Sequence, residues 1–135
     1  MIRNAISSST EPVLILTAVR CWRMARDMRQ PVQPALFAAL NGHRCGLLAP
    51  VFDSLLGFYE ACMGRMIVAG SSVGDALSRD EQNLIDLLDS PEEILSTMEP
   101  HRKPGLVPAM RIALRSTRIA VLQALSPCCF LKPAM

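Results

Sequence analysis

The stretch LLAPVFDSLLGFYEACM, residues 47 to 63, sets Leu48, Val51, Phe52, Leu55, Tyr59 and Cys62 at helical spacing. A helix of about 3.6 residues per turn gathers those positions on one face, whereas a strand would scatter them to both. Asp53 and Glu60 point away from that face. The pattern recurs twice. In residues 11–29, Leu14, Ala18, Cys21, Ala25 and Met28 form one stripe, with Trp22 beside it and Arg20, Arg23 and Asp27 opposite. In residues 106–125, Met110, Leu114, Thr117, Val121 and Ala124 make an inner face, while Ile112 and Ile119 lie nearly opposite. Three long amphipathic helices therefore constrain everything else.

The punctuation between them is equally local. Thr10 offers an N-cap, with Glu11 and Pro12 in the first turn. Pro31 and Pro34 close that helix. A short apolar helix over 35–40 follows, with Asn41-Gly42 as its C-cap signal. RMIVAGSSVGD reads as a brief extended piece and a loop. Ser78-x-x-Glu81 is a capping box that opens a helix to about Asp89, and Ser90-Pro91-Glu92-Glu93 opens a short one ending before Pro100. HRKPG is a loop, and Pro127 ends the last helix. The expected fold is all-α, a single-domain compact array of five to six helices. A loose N-terminal tail (1–10) precedes the helical domain (11–126), and a C-terminal tail (127–135) follows it. The helices at 47–63 and 106–125 should form the centre, packed with 11–29.

At 135 residues with half of them hydrophobic, the chain suits one packed domain and is too apolar for disorder. The longest charge-free runs, 30–42 and 119–131, are shorter than the roughly 20 residues of a membrane span, and both contain Pro. PVLILTAVRC resembles a short secretion segment, but Glu11 and Pro12 precede it where positive charge is needed, and no A-x-A pattern follows. Five cysteines without framework spacing suit a reducing compartment, so a cytoplasmic location is expected.

Charge is segregated. Residues 71–99 hold eight acids and one base, whereas residues 100–135 hold six bases and no acid. Acids in first helical turns are favoured by the helix dipole, which accounts for Asp80, Glu81, Glu92 and Glu93. Arg111, Arg115 and Arg118 line one strip of the last helix, and the nearest opposite charge predicts that they lie by Asp86, Asp89 or Glu93. The same strip, extended by Arg102, Lys103 and Lys132, is the candidate for anion or nucleic-acid contact. A net charge of +2 and the absence of aromatic interleaving make nucleic acid the weaker partner.

No set of residues converges on catalysis. His43-Arg44-Cys45 and Cys128-Cys129 lack the spacing of zinc pairs. Asp53 with Glu60, and Asp86 with Asp89, read as solvent-facing carboxylates. His101 sits in a Pro-flanked loop. Gly70-Ser71-Ser72-Val73-Gly74 could cradle an anion but lacks the Lys of a nucleotide loop, so it reads as a linker. No metal, cofactor or catalytic residue is assigned, and an enzyme is the less favoured class. A stripe of small residues on the 47–63 helix, Ser54, Gly57, Ala61 and Gly64, would let another backbone approach, unless Gly64 merely caps the helix. With Ile112 and Ile119 it forms the candidate interface for a protein partner or a homodimer.

The segments RCWRMARDMRQPVQPALFAAL, CGLLAPVFDSLLGFYEACMGR, ALSRDEQNLIDLLD and ALRSTRIAVLQAL, in that order, resemble a domain-of-unknown-function family of small helical proteobacterial proteins. The resemblance spans about residues 14–125. It implies a helical fold and no activity. That family's loop before the capping box is cysteine-rich, and here the loop is Gly70–Gly74, so no thiol role comes with it. Three functional readings follow: a non-catalytic interaction or regulatory module, an anion or nucleic-acid binder through the basic last helix, and a thiol or metal protein.

Overall fold

Prolines and left-handed residues divide the described residues into six α-helices. The computed structural model describes residues 5–70, 76–98 and 105–125. Its helices are α1 (Ala5–Asp27), α2 (Val32–Asn41), α3 (Ala49–Met63), α4 (Arg79–Asp89), α5 (Pro91–Met98) and α6 (Leu106–Leu125), with a single 3₁₀ turn, Gly46–Leu48, ahead of α3. The fold is all-α, and no strand occurs among the described residues. The expected tails are only partly described. Helix α1 already begins at Ala5, so Thr10 is not its N-cap and Pro12 lies inside it. Pro12 has no N–H for the carbonyl four residues back, a local loss that the flanking turns absorb. Residues 1–4 and the C-terminal tail lie outside the described residues.

Two helices end in a way the sequence hides. After α1, Gln30 N–H reaches Ala25 O at 2.8 Å, Arg29 N–H reaches Arg26 O at 3.1 Å, and Arg29 is left-handed at φ 58°. After α2, Cys45 N–H reaches Leu40 O and Arg44 N–H reaches Asn41 O, both at 3.0 Å, with Arg44 at φ 62°. Both are Schellman closures with Arg in the place usually held by Gly. Gly42, the expected cap, keeps a right-handed φ of −62°. Gly64 does cap α3, at φ 70°, and its N–H bonds Glu60 O. Ser78 and Glu81 form the predicted capping box. At the second predicted box the Ser90 hydroxyl instead turns to Asp89 Oδ2, at 3.3 Å.

Helices α3 and α6 share the broadest interface, whereas α1 packs mainly on α2 and α4 and meets α3 narrowly. The centre is thus α3 with α6, and α1 belongs to the layer beside them. The buried face of α3 is the predicted one, with Val51 half-buried and Leu56 added. On α1 the face is turned: Ile15, Val19 and Trp22 are buried with Leu14, Ala18 and Ala25, while Met28 is 60% exposed. Each fully buried Leu or Phe contributes roughly 1.5–3 kcal/mol by leaving water.

Candidate functional site

The acidic segment supplies the two buried carboxylates of the described residues. Asp80 and Glu81, in the first turn of α4, are 1% and 0% exposed. Asp80 accepts from Tyr59 Oη (2.7 Å), Val68 N–H (2.8 Å) and both terminal nitrogens of Arg65 (2.7 and 2.8 Å). Glu81 accepts from Arg20 Nε (2.9 Å), Gly70 N–H (2.8 Å) and Ser78 N–H (3.0 Å). Burial by itself would raise both carboxyl pKa values, but these donors outweigh it and hold both below the ordinary range. Burial pushes the Tyr59 phenol up. Together the two acids fasten the segment 66–70 to α1, α3 and α4. This part of the charge cluster therefore has an internal partner, and the set is saturated with donors. The anion at the Gly70 amide is the chain's own Glu81. Residues 71–74 of that loop lie outside the described residues.

Asp53 and Glu60 are not the solvent-facing pair expected. Asp53 is half-buried and accepts from Trp22 Nε1 (2.8 Å) and Gln33 Nε2 (3.0 Å). Glu60 accepts from Ile67 N–H (2.8 Å) and lies 2.7 Å from Arg26 Nη1, while the Arg26 guanidinium also stacks 4.4 Å from the Trp22 ring centre. The α1 arginines, placed on the outer side by periodicity, reach across the molecule: Arg23 bonds Ile67 O besides Asp27. A signal for this was present, since Arg20, Arg23 and Arg26 recur at helical spacing.

A groove of about 470 Å³ opens between α3 and α6, and no residue lining it is charged. Pro50, Val51, Ser54 and Phe58 form one wall; Ala109, Ile112, Ala113, Ser116 and Thr117 form the other. Ile112 is 67% exposed and Phe58 37%. The groove brings together two strips that lie far apart along the chain, because Ser54 and Ile112 line it from opposite walls. A shallower hollow of about 390 Å³ continues over Gly57 and Ala61. A methyl added at Gly57 would meet nothing, so its lack of a side chain serves no contact within the chain. Gly64 is occupied in capping α3. Ile119 (51% exposed) and Leu122 (47% exposed) lie farther round α6, over a separate hollow toward α5.

The arginine strip of α6 does lie beside acids, but the pairing differs in detail from the prediction. Arg111 Nε bonds Glu92 Oε2 at 3.0 Å. Arg118 shares a crevice with Glu11. Burial raises the Glu11 pKa, Arg118 opposes that, and Asp89 adds to it. Asp86 accepts from Gln82 (3.0 Å). Arg115 is exposed and makes no ion pair among the described residues. Arg102, Lys103, Lys132 and His101 lie outside the described residues, as do Cys128 and Cys129.

Cys45 is buried, and its Sγ donates to the His43 backbone carbonyl (3.3 Å). Burial raises the Cys45 and Cys21 thiols, which keeps them protonated at neutral pH. Among the described residues no cluster of His, Cys, Asp or Glu is arranged to hold a metal, and no helix is long and apolar enough to cross a membrane. Compared with family models, curated proteins and solved structures, the chain matches none of them.

Proposed function

We propose that the chain is a cytoplasmic, non-catalytic protein-interaction module whose working surface is the joint face of α3 and α6. The observation that carries this reading is the uncharged groove between them, with Ile112 standing on its rim at 67% exposure. Exposed apolar surface with a shaped depression is what a protein partner removes from water. The buried carboxylates support the reading from the other side, since their hydrogen-bonding capacity is spent on the chain's own donors. Anion binding through α6 has less in its favour, because Arg111 is committed to Glu92 and Arg118 has acidic neighbours. The resemblance to small helical proteobacterial proteins adds no activity to weigh against it.

A photo-activatable residue at Ser54, on the groove wall, tests the proposal in the cells that make the protein. Covalent protein adducts should form there and be absent when the same residue replaces Gln82, which is exposed on α4. A folded chain giving no adduct at Ser54 sinks the reading.

A further inference from the structure

We infer that the α3/α6 face closes on a second copy of this chain, the two related by a two-fold axis parallel to the helices. This rests on the protein-binding reading and names its partner.

The argument is one of register and charge. Cys62 Sγ lies 3.7 Å from Leu106 O, and Val51 shares a groove with Thr117, so α3 and α6 run antiparallel. Asp53 lies as many residues before Cys62 as Arg115 lies after Leu106. At about 1.5 Å of rise per residue, the two stand at one height. They stand on opposite edges. Asp53 is on the side of α3 that meets Trp22 and Gln33, whereas Arg115 is on the side of α6 that faces Pro91 and Glu92. Neither side chain is paired with an opposite charge among the described residues: the donors to Asp53 are the neutral Trp22 and Gln33, and Arg115 makes no ion pair. The face is therefore an uncharged strip two helices wide, with an anion on one edge and a cation level with it on the other.

A two-fold axis along the helices keeps height and exchanges edges. It lays α3 of each copy across α6 of the other, so that Asp53 meets Arg115 twice and Ile112 settles over the open surface at Gly57. A two-fold across the helices at the height of Arg115 would set α6 on α6 and oppose Arg115 to Arg115. Like charge disfavours that arrangement.

The test is sedimentation equilibrium of the full chain over a range of concentration and salt. The expected result is a dimer that weakens with salt, about tenfold with Arg115→Glu, and at least about 100-fold with Ile112→Asp. Both substituted residues are exposed, and circular dichroism checks that helix content is unchanged. Asp53→Asn and Arg115→Ala should each weaken the dimer, and together no more than either alone. A chain still monomeric at about 1 mM overturns the inference, as does a dimer indifferent to Ile112→Asp and Arg115→Glu. Ser54 adducts to a different protein would overturn the second copy and leave the interaction reading standing. The absence of any adduct would end both.

Discussion

Arg65 closes on Asp80 with both terminal nitrogens, Nη1 to Oδ2 at 2.7 Å and Nη2 to Oδ1 at 2.8 Å. The carboxylate is buried at 1% exposure while the guanidinium is 43% exposed, so water reaches one partner only. Arg65→Ala leaves a buried charge with Tyr59 and Val68 as its remaining donors. Water can enter from the Arg65 side, so the loss belongs below the range for a sealed pair: about 2–3 kcal/mol in urea denaturation. Arg65→Lys keeps the charge but not the two-pronged fit, and should lose about half as much. Amide exchange at Val68 should accelerate in both variants. An Arg65→Ala chain as stable as the parent would show that Asp80 is held without its ion pair.

Acid should release the same segment. Asp80 and Glu81 are held below their ordinary values of 3.8 and 4.5 in the folded chain. A lowered folded pKa gives stability that is fully present above the unfolded value and is lost as pH falls through the folded one. The contribution of this pair should therefore be flat from neutral pH down to about 5 and decline below about 4, as both carboxyls take up protons. Tyr59 has the opposite sign. Its raised phenol favours the folded chain below its ordinary value of 10.0, and that contribution fades as pH climbs beyond it. Urea midpoints across pH read both limbs. Asp80→Asn should flatten the acid limb, and an unchanged slope in that variant would remove Asp80 as its source.

Gly70 is needed for space, not for backbone freedom. A Cβ there would come within 2.7 Å of Glu81 Oε1, 2.8 Å of Arg20 Nη2 and 3.1 Å of the Ala76 carbonyl. Two of those atoms belong to an ion pair fixed by further bonds, so neither can retreat without breaking a contact. Gly70→Ala should lose about 1–3 kcal/mol, typical of overpacking. The Arg20–Glu81 pair should then be weakened, visible as a smaller further loss on adding Arg20→Ala. Gly57→Ala is the internal control. Its Cβ meets nothing, so helix propensity alone should make it about 0.5–1 kcal/mol more stable.

The long helices were legible because burial repeats with their period: the α3 face of Phe52, Leu55, Tyr59 and Cys62 needs only arithmetic. The turned face of α1 was not. Cys21 and Met28 fit the stripe as well as Ile15 and Trp22 do, and only the positions of α2 and α4 decide between them. The capping box at Ser78 was legible, yet its Glu81 has a second task. Nothing local shows that a first-turn acid will be sealed beneath Arg20 and the Gly70 amide. The pairing of Asp53 with Trp22 and of Arg65 with Asp80 likewise depends on which elements become neighbours. The groove between α3 and α6 was half visible. Its two walls were each marked by a residue that broke the amphipathic pattern, Ser54 on one helix and Ile112 on the other. Their meeting across a single depression required the antiparallel register.

Arg29 and Arg44 each hold a left-handed backbone that an L side chain adopts at a cost of about 1 kcal/mol. Their N–H groups and those of Gln30 and Cys45 close α1 and α2 back on themselves, so the conformation cannot relax without opening both helix ends. Both side chains are exposed. Glycine removes the strain, and against that stand its greater freedom in the unfolded chain and the lost cation near a helix C-terminus. The net expectation for Arg29→Gly and Arg44→Gly is a gain of about 0.3–1 kcal/mol each, roughly additive because the sites share no partner. Thermal unfolding should show each variant melting a few degrees higher. Alanine separates the causes, since it removes the same charge and keeps the strain. Arg29→Ala and Arg44→Ala should therefore be no more stable than the parent chain. Glycine variants that melt with their alanine counterparts would mean that the left-handed turns carry no strain to relieve.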